Sequence, residues 1–283
     1  MDILIQGILL GSLYALFALG LSLMFGVMRL TNTAHGDFII LGAFGALGAM
    51  ACGLSPWLSA LLVLSMAWLV GYGLQKTVLN QTLGKDPVPS LVVTFGISIV
   101  IQNALLEIFS ADPRSIDSGG LNTLSLNLGG DLSVGVLPVL ILGLALCATL
   151  FLQWLFSSTA MGRAFRAVSD DPEIAALMGL NSKTVYAQAT GLAFLLVALA
   201  GVLQGMRTTV SPADGPMLLL FSFEAVIMGG MGSFWGTLAG GLLLGMTQQL
   251  GFRWDPGWGI WCGHVVFLTL LVLKPQGLFP KTK

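Results

Sequence analysis

Apolar residues form long, nearly continuous runs along this chain, with polar residues confined to short groups between them. Runs at roughly 3–28, 36–52, 56–78, 91–109, 134–156 and 185–206 approach the ~20 residues that a helix needs to cross ~30 Å of hydrocarbon. Two further runs, 218–229 and 233–250, are separated only by the glycine-rich break Gly229-Gly230-Met231-Gly232-Ser233, and a last run covers 258–273. The pattern predicts an all-α integral membrane protein with eight to nine hydrophobic segments, among them a broken, re-entrant helix pair. Helices interrupted inside a membrane line paths more often than they simply span. With only about 11 residues, the first limb reaches ~16 Å at the helical rise, so the expected turn lies near the membrane midplane. Gly229, Gly230 and Gly232 suit it because glycine accepts positive φ.

Composition agrees with a bilayer environment: 55% of the residues are hydrophobic and 9% charged among 283, with a mean hydropathy of +0.90. A water-soluble domain of this size needs more polar surface. No hydrophilic domain interrupts the runs, so residues 1–283 are read as one transmembrane domain. The first run lacks a basic leader and a small-residue cleavage site, which argues against a removed signal peptide. Cys52, Cys147 and Cys262 are solitary within apolar runs, a spacing that suits neither a disulfide framework nor a metal site.

Loop charges orient the chain. Lys76 and Lys85 flank one loop, Arg163, Arg166 and Lys183 lie in the 157–184 loop, and Lys274, Lys281 and Lys283 mark the tail. The positive-inside rule makes these regions cytoplasmic. Asp2, Asp112, Asp117, Asp131, Asp214 and Asp255 outnumber Arg114, Arg207 and Arg253 in the other loops. The N-terminus is therefore expected outside and the C-terminus in the cytoplasm.

Within the 157–184 loop, Asp171 can cap a helix, Pro172 suits its first position, Glu173 complements its positive end and Gly179 can stop it. Ile174, Leu177 and Met178 would share one face of this short helix. They form an apolar knob, with Arg163 and Arg166 available to acidic residues of a partner; the plainer alternative is a helix lying on lipid. Thr31-Asn32-Thr33-Ala34-His35 interrupts the chain before Gly36 and Asp37. Asn32, His35 and Gly36 could contact a solute at a half-helix end, or Asn32 and His35 could simply satisfy backbone groups at a cytoplasmic-side turn. Arg29 and Asp37 are placed to pair there. Residues 36–50 align without gaps on 232–246, matching Gly36 with Gly232, Gly45 with Gly241 and Met50 with Met246; such a match also arises by chance in glycine-rich sequence, so a structural repeat stays open. Glu224, an acid inside the broken segment, either lines the path, meets a partner subunit or sits near the outer interface. His264 reads as a satisfied packing or interface histidine rather than a proton relay.

The stretches GSLYALFALGLSLMFGVMRLTNTAHGDFIILGA, DDPEIAALMGLN, VIMGGMGSFWGTLAGGLLLG and LVLKPQGLFP resemble the branched-chain amino acid permeases of ABC importers, specifically the shorter, LivH-type subunit. The resemblance covers essentially the whole chain. It implies an inner-membrane permease that is not itself an enzyme, working with a periplasmic solute-binding protein, two cytoplasmic ATPases, and either a second, LivM-like permease or another copy of itself. It also implies that the 157–184 loop is the coupling element, and that branched-chain amino acids or related small polar solutes are carried. The chain has no phosphate-binding G-x-x-x-x-G-K-[ST] motif of its own, and neither cofactor, metal nor nucleic acid is expected. A self-contained secondary carrier or channel is the alternative, weakened by the scarcity of intramembrane acids for ion coupling.

Overall fold

The structure, a computed structural model, describes residues 2–84, 87–127 and 133–279; Lys85, Asp131, Lys281 and Lys283 lie outside the described residues. The elements in order are α1 (Asp2–Met28), α2 (His35–Ala51), α3 (Pro56–Leu74), a π-helical turn (Gln75–Leu79), α4 (Asn80–Thr82), α5 (Val88–Phe109), β1 (Ser125–Asn127) and β2 (Ser133–Gly135). They continue with α6 (Val136–Ser158), α7 (Ala160–Asp170), α8 (Pro172–Leu177), α9 (Ser182–Arg207), α10 (Gly215–Gly229), α11 (Phe234–Trp254) and α12 (Trp258–Leu273). Each of the nine expected hydrophobic segments falls on a helix, but among the described residues five helices have membrane-crossing length and composition, or six if α10 and α11 are taken as one bent pair. Helices α2 and α12 are shorter apolar helices. The antiparallel β1–β2 hairpin has no counterpart in the sequence expectation.

Helix α1 is apolar on every side and is buried as the central post of the bundle. Glycine makes this packing close. A Cβ on Gly11 would lie 2.5 Å from the Gly241 carbonyl oxygen, and one on Gly241 would lie 2.6 Å from the Ala15 nitrogen. Gly7 and Gly11 on α1 thus face Gly241 and Gly245 on α11, small residues four apart on both helices. The pairing is antiparallel, since Gly7 meets Met246 while Gly26 meets Gly232. On the other side Gly42 of α2 abuts Ala198 of α9.

These contacts define two ends. At one, which also carries α8, the Ser169 hydroxyl of α7 donates to the Gly26 carbonyl at 2.8 Å, and Leu278 and Phe279 donate to the Met228 and Gly229 carbonyls. At the other, Ile116 donates to Gly205 and Arg114 exchanges hydrogen bonds with Val210.

Two helices start in the middle. His35, the first residue of α2, bonds to the Phe17 carbonyl at 2.7 Å, near the midpoint of α1. Residues 29–34 therefore climb back from the α8 end, and α2 continues to the far end. Gly215, the first residue of α10, abuts Gly36, so residues 208–214 descend from the far end to the same depth and α10 continues to the α8 end. With 17 and 15 residues, α2 and α10 are ~25 and ~22 Å long, each too short to cross alone. Their N-termini meet inside the bundle.

This arrangement corrects two expectations. The break between α10 and α11, a bend of 118°, lies at the α8 end and not at mid-depth: the first half of that crossing is coil, so the short α10 has already reached the end when it turns. The positional counterpart of α2 is accordingly α10, whereas the stretch 232–246 that resembles α2 in sequence is the first part of full-length α11.

Candidate functional site

Helix N-termini carry partial positive charge, so bringing two together inside an apolar bundle is unfavourable unless something compensates. Asp37, 1% exposed and in the first turn of α2, is that group: a Cβ on Gly215 would strike its carboxylate, and a Cβ on Gly36 would strike the Gly215 carbonyl. Glycine at both positions is a requirement of close approach. The Asp37 carboxylate accepts from Gln102 Nε2 at 2.8 Å, and Gln102 also donates to Ser98 at 3.2 Å. It does not pair with Arg29, which is exposed and turns the chain after α1 with a φ of 52°; the climb of residues 29–34 separates the two in depth.

Asn32 and His35 are fully buried. Asn32 Oδ1 accepts from the Ala34 amide at 3.0 Å. Because a carbonyl only accepts, His35 Nε2 carries the hydrogen in its bond to Phe17. Asn32 Nδ2 and His35 Nδ1 have no partner. Of the two places the sequence left open for this turn, a half-helix end and the cytoplasmic side, the structure has the first, in the middle of the bundle.

A second polar group surrounds Tyr14 of α1. Its hydroxyl donates to Gln248 Oε1 of α11 at 2.7 Å, and its ring packs 4.9 Å from that of Phe221 on α10. One turn along, Glu224 pairs through Oε1 with His264 Nδ1 of α12. His264 is therefore a hydrogen-bonded contact that ties α12 to α10. Tyr14, Gln248 and the Glu224–His264 pairing had no signal in local spacing; the available one was a polar side chain inside an apolar helix, as at Gln248.

The elbow residues lie apart from both groups. Gly230 has φ 108° and Gly232 φ 80°, while Gly229 is helical and allows close approach, since a Cβ there would strike the Gly236 carbonyl. The C-terminal segment straps this turn: Leu278 N and Phe279 N donate to the Met228 and Gly229 carbonyls, each at 2.9 Å. Those carbonyls end α10 and would otherwise lack partners.

At the same end, α8 has the expected local chemistry. Asp171 Oδ1 accepts from Glu173 N at 2.9 Å and Ile174 N at 3.0 Å, Pro172 opens the helix, and Gly179 follows with φ 86°. Ile174, Leu177 and Met178 are 59, 88 and 80% exposed. Arg163 is exposed, and Arg166, half-buried, donates to the Phe156 carbonyl of α6. The residues expected to act together thus occupy three places: Asn32, His35 and Gly36 at the helix meeting, Glu224 beside Tyr14, and the elbow glycines near the α7–α8 end.

Comparison with known proteins supplies the context. The sequence matches the family described as "Branched-chain amino acid transport system / permease component" over residues 3–273. It is 27% identical over 263 residues to the high-affinity branched-chain amino acid transport system permease protein BraD of Pseudomonas aeruginosa, covering 88% of this chain and 85% of that one. It is also 27% identical over 259 residues to LivH of Escherichia coli K12, a permease protein of the same description, covering 87% and 83%. Among solved structures, PsaBC from Streptococcus pneumoniae in complex with Fab shares the fold at a TM-score of 0.52 and 13% identity, covering 98% of this chain and 93% of that one.

Proposed function

Because this chain belongs to the permease components of branched-chain amino acid transport systems, a family it matches over residues 3–273, we propose that it forms a solute path powered by ATPases docked on α8. It is the membrane-spanning permease subunit of a binding-protein-dependent ABC importer, carrying branched-chain amino acids or related small polar solutes across the inner membrane. Its partners in this reading are a periplasmic solute-binding protein, two cytoplasmic ATPases, and a LivM-like permease or a second copy. The loop charges put α8 and the C-terminal strap on the cytoplasmic side. The half-helices α2 and α10 flank the path, since their meeting point is where buried polar groups interrupt an apolar bundle.

The observation that carries the coupling role is the capped, short α8, which with its C-cap Met178 leaves Leu177 and Met178 largely, and Ile174 more than half, exposed. Burying a leucine stabilises a contact by ~2 kcal/mol, so Leu177 is suited to a groove on a partner. Leu177→Glu should abolish co-purification of the ATPases and ATP-driven uptake while the subunit still inserts. Normal uptake by this variant would remove α8 from the mechanism. Uptake by the wild-type subunit reconstituted without ATPases would favour a self-contained carrier.

A further inference from the structure

Helices α2 and α3 are joined by a short turn at the far end, yet they rest on α9 at different heights. Gly42 of α2 abuts Ala198, and a Cβ on Gly201 would strike the Ile39 carbonyl. Nearer the α8 end, a Cβ on Gly71 of α3 would lie 2.7 Å from the Phe194 ring, and one on Gly191 would lie 3.0 Å from Trp68 Nε1. Between these two anchor zones the helices part and leave a cavity of about 380 Å³.

The inner wall of the cavity is Phe38, Gly42, Phe194 and Ala198, all buried. Its rim is Leu62, Met66 and Val70, which share one exposed face of α3 at four-residue spacing. No charged, amide or hydroxyl side chain lines it. Helix α2 separates this cavity from the polar meeting point: Asp37 bonds Gln102 and packs on Gly215, whereas the ring of Phe38 lies 4.2 Å from that of Phe194. A polar solute finds no partner here. The gap exists because the α2 residues facing it are small. A Cβ on Gly45 would make ordinary contact with Val63 at 3.4 Å, and one on Gly48 would meet only the Phe109 ring at 3.6 Å. Backbone approach does not require glycine at either position, so glycine there leaves room.

Apolar interiors otherwise pack to the density of organic crystals. The cavity is more than twice the ~150 Å³ that suffices for a benzene ring. It is smaller than one turn of a helix ~10 Å across and ~5.4 Å in pitch, about 420 Å³, so a partner helix does not fit. Its lining runs from Phe38, next to the mid-depth start of α2, to Cys52 at the far end of that helix, and its rim faces the surroundings of the bundle, which in a bilayer are hydrocarbon chains.

We propose that the cavity between α2 and α3 is a binding site for one acyl chain of a phospholipid in the leaflet at the far end, entering past Leu62 and Met66 and ending against Phe38 and Phe194. The chain lies on the side of α2 opposite its meeting with α10, where it supports the half-helix by dispersion contacts. The site requires only that the bundle spans a bilayer and stands whatever solute the permease carries.

The test reconstitutes the assembled permease complex in nanodiscs doped with a phospholipid that bears a diazirine near the end of one acyl chain. After irradiation, adducts are located by mass spectrometry. In the wild type, Phe194 and Ala198 of the buried wall should be labelled along with Leu69 and Val100, which are exposed on α3 and α5. Gly45→Leu directs a side chain into the cavity, so it should remove the wall adducts and leave those at Leu69 and Val100. Ala49→Leu should do the same, and it carries the comparison if Gly45→Leu does not assemble. A wild-type complex labelled at Val100 but not in the wall would overturn the site, the result expected if side chains of a partner subunit plug the rim. Wall adducts that survive in both variants would overturn it as well, because the label would then reach Phe194 by another route.

Discussion

The elbow offers a sharp test of how the bundle transmits motion, through Gly230→Val. At φ 108° any side chain is strained, at a cost of about 1–3 kcal/mol, and a β-branched one is confined further at χ1. A Cβ there would also stand 2.6 Å from the Phe279 carbonyl oxygen and 3.3 Å from that of Gln276, so the C-terminal strap must move. Its two hydrogen bonds to α10 are worth about 1 kcal/mol each. Releasing both favours opening by ~2 kcal/mol, which should accelerate amide exchange at Leu278 and Phe279 about 30-fold. The assay is hydrogen–deuterium exchange on the assembled complex, alongside uptake per complex, with Gly96→Val on α5 as control because a Cβ at Gly96 meets no atom within 4 Å. Gly240 would not serve as a mild control: a Cβ on it would strike the Ala225 carbonyl of α10. We expect fast exchange and lost uptake in Gly230→Val, and wild-type behaviour in Gly96→Val. Unchanged exchange at the strap together with full uptake in Gly230→Val would refute the idea that the clamped elbow is required.

Two further outcomes test orientation and packing. Single cysteines at Ser115 and Thr184, both exposed and at opposite ends, should react with an impermeant thiol reagent from opposite sides of the membrane; labelling of both from outside would overturn the orientation. Gly11→Val should prevent recovery of a folded subunit, because a Cβ there already lies 2.6 Å from the Leu242 Cα on α11 and overpacking of that kind costs ~1–3 kcal/mol or more; wild-type thermal stability in detergent would show that α1 and α11 can separate without penalty.

The sequence by itself determined the features that depend on local chemistry. Runs of apolar residues placed every hydrophobic helix, since a helix in lipid satisfies its backbone internally and needs only length and apolarity. The Asp171-Pro172-Glu173 start and the Gly179 stop placed α8, because caps act within a turn of the chain. The positive φ at the glycine break was legible for the same reason. What the tertiary structure decided was depth and partnership. The short first limb of the broken pair was legible from its few apolar residues, but an apolar, glycine-rich run reads alike at any depth, so the position of the elbow followed only from Gly215 resting on Gly36 and from the strap on Met228 and Gly229. The contact of Arg166 with the Phe156 carbonyl of α6 likewise had no signal in the local sequence. Glu224 and His264 lie 40 residues apart on different helices, and no periodicity links them; they pair because the bundle leaves a buried carboxylate no better partner than the histidine that α12 presents.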